Sequence, residues 1–293
     1  MFHVFSHSPC NDGELASVIW QYFVPHSKYY NWVHNDYSYN VNIISNLPKN
    51  SNVVFLDLSP PLYILPTHHN YIIIDHHKDA ILTMKNNPKF TNYKVKLYIE
   101  DGFPENNKLS GCMLTWKYHT DEVFPVVVHH VGMKDVWDFS DPNTEPYNIG
   151  YCVTLKQCKT QMDRRHTITA LLGQNKESEF VNIGALKIDE YKRRARKVFT
   201  SCVFDVDILD DVKYTIVEVV CSEAELFKYL CDYATFSMRE DVLRIHHSTL
   251  GDMKNYSLRS IKPTICVDGL ARKYGGNGHP RAAGYSINSV RYQ

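Results

Sequence analysis

Short apolar runs alternate with polar and helical segments in the first half of the chain, and this pattern predicts an α/β domain. The most apolar runs cover residues 2–5, 53–56 and 71–74. Runs of this kind are typical of strands that are buried on both faces of a parallel sheet. Helical patterns lie between and after them, the first starting at about residue 14. We therefore predict a mainly parallel sheet covered by helices up to about Val136.

The second half of the chain predicts a connector helix and a smaller domain. Residues 167–199 contain no proline and become increasingly charged, as in a long exposed helix. The pattern then predicts two strands (203–220), a helix (223–233), a β-hairpin (236–260) and a short helix before Gly275 (267–274). The predicted organisation is a catalytic domain (1–180), a connector helix (181–200) and a smaller α/β domain with a mixed sheet (201–293).

Side chains of the kinds that bind metals follow several of the apolar runs. They are, in chain order, His7, Cys10, Asp12, Asp57, the tripeptide Asp75-His76-His77 and Asp135, which follows an apolar run at 126–128 that we interpret as another strand. Because the carboxyl ends of parallel strands lie at one edge of a sheet, these side chains are expected to meet there. Imidazole and carboxylate groups bind divalent metals, so the sequence predicts a metal site.

Histidine pairs alone are weak evidence for such a site in this chain. Among its 15 His, further pairs stand at residues 68–69, 129–130 and 246–247 without an evident reason. A bare pair of this kind is more often solvated, or packed in a core, than bound to a metal. The other ligand-type side chains after neighbouring runs are what distinguish His76 and His77.

Composition and charge narrow the class of protein. With 293 residues, 44% of them hydrophobic, the chain is long enough for two domains. No apolar stretch is long enough to span a membrane, and the first residues lack the pattern of a secretory signal. Eight scattered Cys favour free thiols and a cytoplasmic protein. Lys plus Arg and Asp plus Glu are balanced at 32 each, which favours short substrates over long nucleic acids.

The motifs, taken in their order along the chain, resemble those of the DHH phosphoesterase superfamily. They are His-x-x-Cys-x-Asp-Gly from His7, Leu-Asp-Leu-Ser around Asp57, Asp-His-His at 75–77, Asp135, and Gly-Gly-Asn-Gly-His from Gly275. The last motif, with Ser-Leu-Arg-Ser ahead of it, resembles the DHHA-type substrate-binding domain of nano-RNases and RecJ-type exonucleases. The resemblance covers nearly the whole chain.

The resemblance implies a pair of divalent metal ions, most simply Mn²⁺. Two such ions, about 3.5 to 4 Å apart, activate a water and clamp the phosphate oxygens. The implied metal ligands are His7, Cys10, Asp12, Asp57, His76 and Asp135, with Asp57 as the bridging carboxylate and as a catalytic residue. His77 is implied as the catalytic imidazole that faces the phosphate, and Asp75 as the carboxylate that orients this strand end.

The chain departs from the commoner His-x-Asp-x-Asp-Gly motif of the family at Cys10. One extra residue separates His7 from Asp12, and Cys10 stands where an Asp ligand is usual. A thiolate ligand would favour Zn²⁺ or Fe²⁺ over Mn²⁺. The alternative is a buried thiol beside the site that binds no metal.

The C-terminal motif implies that the second domain binds the substrate. The implied residues are Arg259, Ser260, Gly275, Gly276, Gly278, His279 and Arg281. The three glycines allow positive φ, so their amides are expected to form an anion-binding nest, while the Arg259 guanidinium binds a second phosphate. A cleft between the domains would then measure a short substrate. The helix that starts at Gly111 is expected to be capped by Ser110, with a phosphate site at its first amides as the alternative.

The sequence therefore predicts a metal-dependent phosphodiesterase that hydrolyses short oligonucleotides, or linear or cyclic dinucleotides, to mononucleotides. Alternatives are a single-strand exonuclease that acts on longer DNA or RNA, an inorganic pyrophosphatase, and a nucleotide-binding regulatory module in which Cys10 has removed turnover. The expected partner is a short nucleic acid or dinucleotide rather than a membrane, and the chain is compatible with a homodimer.

Overall fold

The computed structural model describes residues 1–33, 37–105, 107–250 and 253–288. It divides into two units, Met1–Ala185 and Leu186–Gln293. The elements of the first unit are, in chain order, β1 (Phe2–Ser8), α1 (Asn11–Phe23), β2 (Lys28–Val33), α2 (Tyr37–Ser45), β3 (Asn52–Leu56), β4 (Asn70–Ile74), α3 (Lys78–Lys85), β5 (Lys94–Tyr98), α4 (Gly111–His119), α5 (Val126–Asp135), α6 (Thr144–Leu155), α7 (Gln161–Leu171) and α8 (Glu177–Val198), which continues into the second unit.

The five strands of the first unit form a parallel sheet in the order β2-β1-β3-β4-β5. Val4 of β1 lies opposite Val54 of β3, and Phe55 lies opposite Ile73 of β4. The direction of the crossovers reverses between β1 and β3. Open α/β sheets bind ligands beyond the strand ends at such a switch point, so this order places the ends of β1 and β3 where a site is expected.

Both faces of this sheet are buried, which explains the continuous apolar runs. Val54 and Leu56 of β3 pack against one helical layer, whereas Val53 and Phe55 pack on the other face with Trp32. These four apolar side chains of β3 have 0% exposure. Burial of each such side chain contributes about 1.5–3 kcal/mol. The strand ends, and the polar side chains that follow them, are therefore held by both layers.

The second unit contains a mixed sheet of six strands. Its elements are β6 (Val203–Leu209), β7 (Val212–Val220), α9 (Phe227–Ser237), β8 (Val242–Leu250), β9 (Met253–Ser260), α10 (Asp268–Lys273), β10 (Asn277–His279) and β11 (Ala282–Asn288). The order is β10-β11-β9-β8-β7-β6, and only the β7–β8 pair among these is parallel. The architecture implied by the resemblance to DHH phosphoesterases, a parallel α/β domain followed by a smaller domain with a mixed sheet, is confirmed.

The apolar run at 126–128 is the start of a helix, so its interpretation as a strand is wrong. Pro125 precedes α5, and burial of Val127, Val128 and Val131 follows the helical spacing. Three consecutive β-branched residues favour a strand locally, but packing of α5 against α4 and α6 overrides that preference. Asp135 is therefore the last residue of a helix and does not follow a strand.

Two helix boundaries also differ from the prediction. The first helix starts at Asn11 because the amide of Glu14 already donates to the carbonyl of Cys10 at 3.0 Å. The single helix expected over 167–199 is two helices, α7 and α8, with Gly173 between them. The side chain of Asn175 accepts a hydrogen bond from the amide of Glu177 at 3.0 Å and so helps to begin α8. Among the helices of the described residues, none combines the length and apolar character needed to cross a membrane.

Candidate metal centre

Asp57 lies at the centre of the predicted site. It follows β3 directly, is 1% exposed, and has a φ of 56°, a left-handed conformation that non-glycine residues seldom adopt. Its Oδ2 lies 3.3 Å from Nδ1 of His7, while its Oδ1 lies 3.1 Å from Nε2 of His76 and 3.8 Å from Nδ1 of His77. The ends of β1, β3 and β4 thus bring three imidazoles around one buried carboxylate.

The ligand atoms form two groups that share Asp57. One group consists of His7, Asp57 and His77, and the other of Asp12, Asp57 and His76. Within each group the ligand atoms lie within 4.8 Å of one another. Two ions held by one bridging carboxylate need this kind of arrangement.

Oδ1 of Asp57 and Nε2 of His76 are buried and lie 3.1 Å apart, but neither makes a well-aligned hydrogen bond within the described residues. The latter atom also lies 3.2 Å from Oδ2 of Asp135 at the end of α5. Buried polar atoms are normally paired, and a cation between these three side chains would pair them. The residues present therefore fit a divalent metal.

The charges of the cluster lead to the same conclusion. Burial raises the pKa of Asp12 to about 8, and the charges of Asp57 and Asp135 add to the rise. Burial also opposes ionisation of Asp57, but its imidazole neighbours, His7 and His76, hold its pKa below the usual range. Burial lowers the pKa of His76, yet Asp135 and Asp57 outweigh it and raise this pKa to about 11. The three carboxylates need positive charge beside them, which divalent ions supply.

Asp75 holds the end of β4 and the ring of His77. Its buried Oδ1 accepts hydrogen bonds from the amides of His76 and His77, at 2.8 and 3.2 Å, and lies 2.7 Å from Nδ1 of His77. This contact is the main reason why the pKa of His77 is raised. The His77 side chain itself is 45% exposed. This is the geometry of a carboxylate that orients an imidazole toward solvent or substrate.

The start of helix α4 holds the second carboxylate, Asp12. Ser110 donates from its hydroxyl to Oδ1 of Asp12 at 2.6 Å, and the amide of Cys112 lies 3.2 Å from both carboxylate oxygens. A Cβ at Gly111 would lie 2.5 Å from Cβ of Asp57 and 2.8 Å from Oδ2 of Asp12. Only glycine allows this approach. The Cys112 amide is occupied by Asp12, and Ser110 caps the helix, so the alternative of a phosphate site here has no support.

Cys10 lies beside the centre, but its thiol belongs to neither group of ligand atoms in the described residues. It is half-buried and precedes α1. Burial, followed by the charge of Asp57, raises the pKa of this thiol to about 12. The geometry thus brings together His7, Asp12, Asp57, His76 and Asp135 of the predicted metal ligands, with Cys10 at the edge.

A cavity of about 530 Å³ opens beside His7 and Cys10. Its wall includes Arg164 and Arg165 of α7, which the sequence did not mark as site residues. Arg164 forms a forked ion pair with Glu14, with nitrogen to oxygen distances of 2.6 to 2.8 Å. These arginines give the cavity two guanidinium groups next to the metal ligands.

The predicted substrate-binding residues lie in the second unit, near the end of β9 and the turn between β10 and β11. The amide of Ser260 donates to the carbonyl of Arg281 at 3.1 Å, and Arg259 pairs with Ala282 across the strands. The Arg259 guanidinium donates to the carbonyl of Leu258 at 2.8 Å. Arg259 therefore lies in β9 and Arg281 in the turn that leads into the neighbouring strand β11.

Two amides of the glycine loop are used within the fold. The amides of Gly275 and Gly276 donate to carbonyls at the end of α10, both at 2.9 Å, and Gly275 has a φ of 77°. These bonds end the helix, as a left-handed glycine commonly does. Substrate binding by Gly275, Gly276 and Gly278 stays a prediction. Gly278 and His279 belong to β10, and His279 is exposed; its role in substrate binding stays a prediction.

No protein-family model matches the chain. It is 23% identical to an uncharacterized protein, R106, of Acanthamoeba polyphaga mimivirus, over 98% of this chain and 68% of that protein. It is similar to the solved structure of PggH, a pGpG-specific phosphodiesterase from Vibrio cholerae, with 14% identity, a TM-score of 0.49, and coverage of 98% of this chain and 94% of the other. It is also similar to an exopolyphosphatase-related protein from Bacteroides fragilis, with 15% identity and a TM-score of 0.46. That similarity covers 98% of this chain and 86% of the other. At such low identities and TM-scores, the evidence for function is the geometry of the site.

Proposed function

We propose that this chain is a metal-dependent phosphodiesterase that hydrolyses short oligonucleotides or dinucleotides to mononucleotides. The observation that carries the proposal is the pair of ligand groups that share the buried carboxylate of Asp57. His7 and Asp57 would hold one divalent ion, while Asp12, His76 and Asp57 would hold the other, with Asp135 beside it. Such ions, when bound, supply an activated water and neutralise phosphate oxygens.

His77 is proposed as the imidazole that faces the phosphate. Its Nδ1 lies 2.7 Å from a carboxylate oxygen of Asp75, so this contact fixes the ring and leaves Nε2 for the substrate. The raised pKa of His77 favours its protonated form. As an imidazolium it can neutralise a phosphate oxygen or donate a proton to the leaving oxygen.

The size and charge of the surrounding surface favour a short substrate. The cavity beside His7 has a volume of about 530 Å³, within the range of about 300–1,000 Å³ that small-molecule pockets cover. Arg164 in its wall is paired with Glu14, whereas Arg165 contacts the neutral side chains of Gln21 and Ser17 and so offers its positive charge to a phosphate. The chain as a whole has a formal net charge of zero, whereas enzymes that follow long nucleic acids carry a basic excess. We further propose that Arg259, His279 and Arg281 select the substrate.

Hydrolysis of a 5′-labelled RNA series from two to about 20 nucleotides, with Mn²⁺ or with a chelator, tests this proposal. The substrates also include pGpG and a cyclic dinucleotide. Hydrolysis of inorganic pyrophosphate is measured in a separate assay. Mn²⁺-dependent conversion of the shortest RNAs to mononucleotides is expected. Preference for the longest RNAs would favour an exonuclease, and phosphate release from pyrophosphate alone would favour a pyrophosphatase. Binding without cleavage under Mn²⁺, Zn²⁺ or Fe²⁺ would favour the regulatory module.

A further inference from the structure

A separate group of ligand-type side chains involves the middle of α5, ahead of Asp135 in the same helix. Its members are His129, His130 and Asp141, whose ligand atoms lie within 4.8 Å of one another. Asp135 stands six positions after His129 in the same helix, which corresponds to about 9 Å of helical rise. This group therefore differs from the candidate metal centre. It also shows that the histidine pair at 129–130, for which the sequence offered no evident reason, lies beside Asp141.

The distances within this group are long for hydrogen bonds. Oδ2 of Asp141 lies 3.6 Å from Nε2 of His129 and 3.9 Å from Nδ1 of His130, whereas nitrogen to oxygen hydrogen bonds usually span about 2.7–3.2 Å. Two ligands that are each about 2.0–2.1 Å from a tetrahedral zinc ion lie about 3.3 Å apart. The two distances to Asp141 exceed this separation by about 0.3 and 0.6 Å.

Neighbouring polar groups orient the side chains of His130 and Asp141, as groups around metal ligands commonly do. Oε1 of Glu177 lies 3.4 Å from Nε2 of His130, a long contact that places this carboxylate beside Nε2, while Nδ1 faces Asp141. Metal-bound imidazoles commonly donate their other N–H to a carboxylate. The Asn143 side chain donates to the same Glu177 oxygen at 2.9 Å. Its backbone amide donates to Oδ1 of Asp141 at 2.8 Å, which leaves Oδ2 directed to the imidazoles.

One ligand of the group is buried, and the other two are partly exposed to solvent. The His130 side chain is 2% exposed, whereas those of His129 and Asp141 are 40% and 32% exposed. An ion could enter from solvent and keep a water as its fourth ligand. The hydroxyl of Thr144 also lies 3.4 Å from Nδ1 of His130, a weak contact that an ion would replace.

We propose that His129, His130 and Asp141 form a second metal site that binds zinc through three protein ligands, with Glu177 as the supporting carboxylate. Two imidazoles and one carboxylate suit a borderline ion such as Zn²⁺ better than Mn²⁺, which prefers oxygen ligands. The ion would connect α5 to the turn before α6 and, through Glu177, to the start of α8. This inference does not depend on the proposed hydrolase activity.

Zinc binding to the full chain, measured by calorimetry and by metal analysis after dialysis, tests this inference. Asp57→Asn serves as the background because the candidate metal centre can itself take zinc. One zinc equivalent should remain in this variant and be lost when His129→Ala is added. His68→Ala is the matched control, because His68 is likewise the exposed member of a histidine pair but belongs to none of the ligand groups. Equal zinc content in the His129→Ala and His68→Ala proteins would overturn the site.

The His129→Ala and His68→Ala proteins are also compared with Asp57 left in place, in case the Asp57→Asn background misfolds. There, His129→Ala should remove one zinc equivalent and preserve hydrolysis with Mn²⁺, so that failure of the second site and failure of the hydrolase proposal can be told apart. Glu177→Gln should keep the zinc equivalent but weaken its affinity by about 10- to 100-fold. An unchanged affinity in Glu177→Gln would contradict the proposed arrangement.

Discussion

At Asp57, one carboxylate serves both groups of ligand atoms, so its replacement tests the centre most directly. Asp57→Asn keeps the shape of the side chain but removes the charge between His7 and His76. We expect kcat/KM to fall by at least about 100-fold, because even residues that only support metal ligands cost 10- to 100-fold. Metal content should fall with it.

The matched control for this change is Asp79→Asn, which alters an exposed aspartate in the first turn of α3. It should leave activity and metal content unchanged. Steady-state kinetics and metal analysis of both proteins give the two readouts. A fully metallated and active Asp57→Asn protein would disprove the bridging role.

Gly111 offers a test of how closely the elements around the centre must approach. An added Cβ would overlap Asp57 and Asp12, so Gly111→Ala must displace a carboxylate or the start of α4. We expect a loss of about 1–3 kcal/mol in the free energy of unfolding, as for other overpacked sites, together with weaker metal binding. Gly173→Ala is the control, because nothing lies within 4 Å of its added Cβ. Denaturant unfolding with and without Mn²⁺ compares them, and equal stabilities would contradict the steric argument.

The candidate metal ligands are easier to find in the sequence than the residues that hold them in place. His7, Asp57 and His76 each stand at the end of an apolar run, so local patterning predicts their common edge. Ser110 is 98 positions from the carboxylate that it contacts. No local pattern reports a pairing over that distance, because it depends on how α4 packs on the sheet.

At the scale of elements, packing decides where local preference is misleading. The valines before His129 favour a strand, yet α5 is a helix because its buried positions recur at helical spacing between α4 and α6. The strands β1, β3 and β4 were predictable because burial on both faces makes most of their central positions apolar. Asp135 was nevertheless expected at the centre, since the resemblance placed it there independently of its element.

Helix α7 carries two arginines of the cavity wall, and its first turn is closed by a capping box. The hydroxyl of Thr160 accepts from the amide of Asp163 at 3.0 Å, and the Asp163 carboxylate accepts from the amide of Thr160 at 3.1 Å. Thr160→Ala should destabilise the protein by about 1 kcal/mol. Thr169→Ala, an exposed change later in the same helix, should be neutral or slightly stabilising. Chemical denaturation measures both, and equal effects would show that the cap does not stabilise the fold.

At the scale of the whole molecule, the division of the chain lies inside a helix. The early part of α8 packs through Phe180 in the core of the first unit, whereas Ala195 belongs to a core of the second. The sequence predicts a connector helix over residues 181–200, but its helical pattern does not indicate at which residue the packing changes. The division between Ala185 and Leu186 follows from the core that each part of the helix contacts.

Metal binding should stabilise one unit and not the other, because all the ligands of the candidate centre lie in the first. At a Mn²⁺ concentration about 100-fold above Kd, a bound ion adds about 2.7 kcal/mol to the unfolding free energy of the unit that binds it. Hydrogen exchange of amides in β1, β3 and β4 that open only on unfolding should slow by about 100-fold. Those in β7 to β9 should not change. An equal slowing of amide exchange in both sheets would contradict stabilisation by the metal of the first unit alone.

In the proposed function, Arg259 selects the substrate and takes no part in the hydrolysis itself. Arg259→Ala should raise KM for dinucleotides by about tenfold or more, because a hydrogen bond to a charged group contributes about 1.5–3 kcal/mol. Hydrolysis of a small generic phosphodiester, which lacks the second phosphate, should be spared. The control is Arg272→Ala, an exposed arginine of α10 that pairs with Asp268 at 2.8 Å. An equal loss on both substrates in Arg259→Ala would place its effect on folding or on the metal centre, since a selecting contact acts only on substrates that reach it.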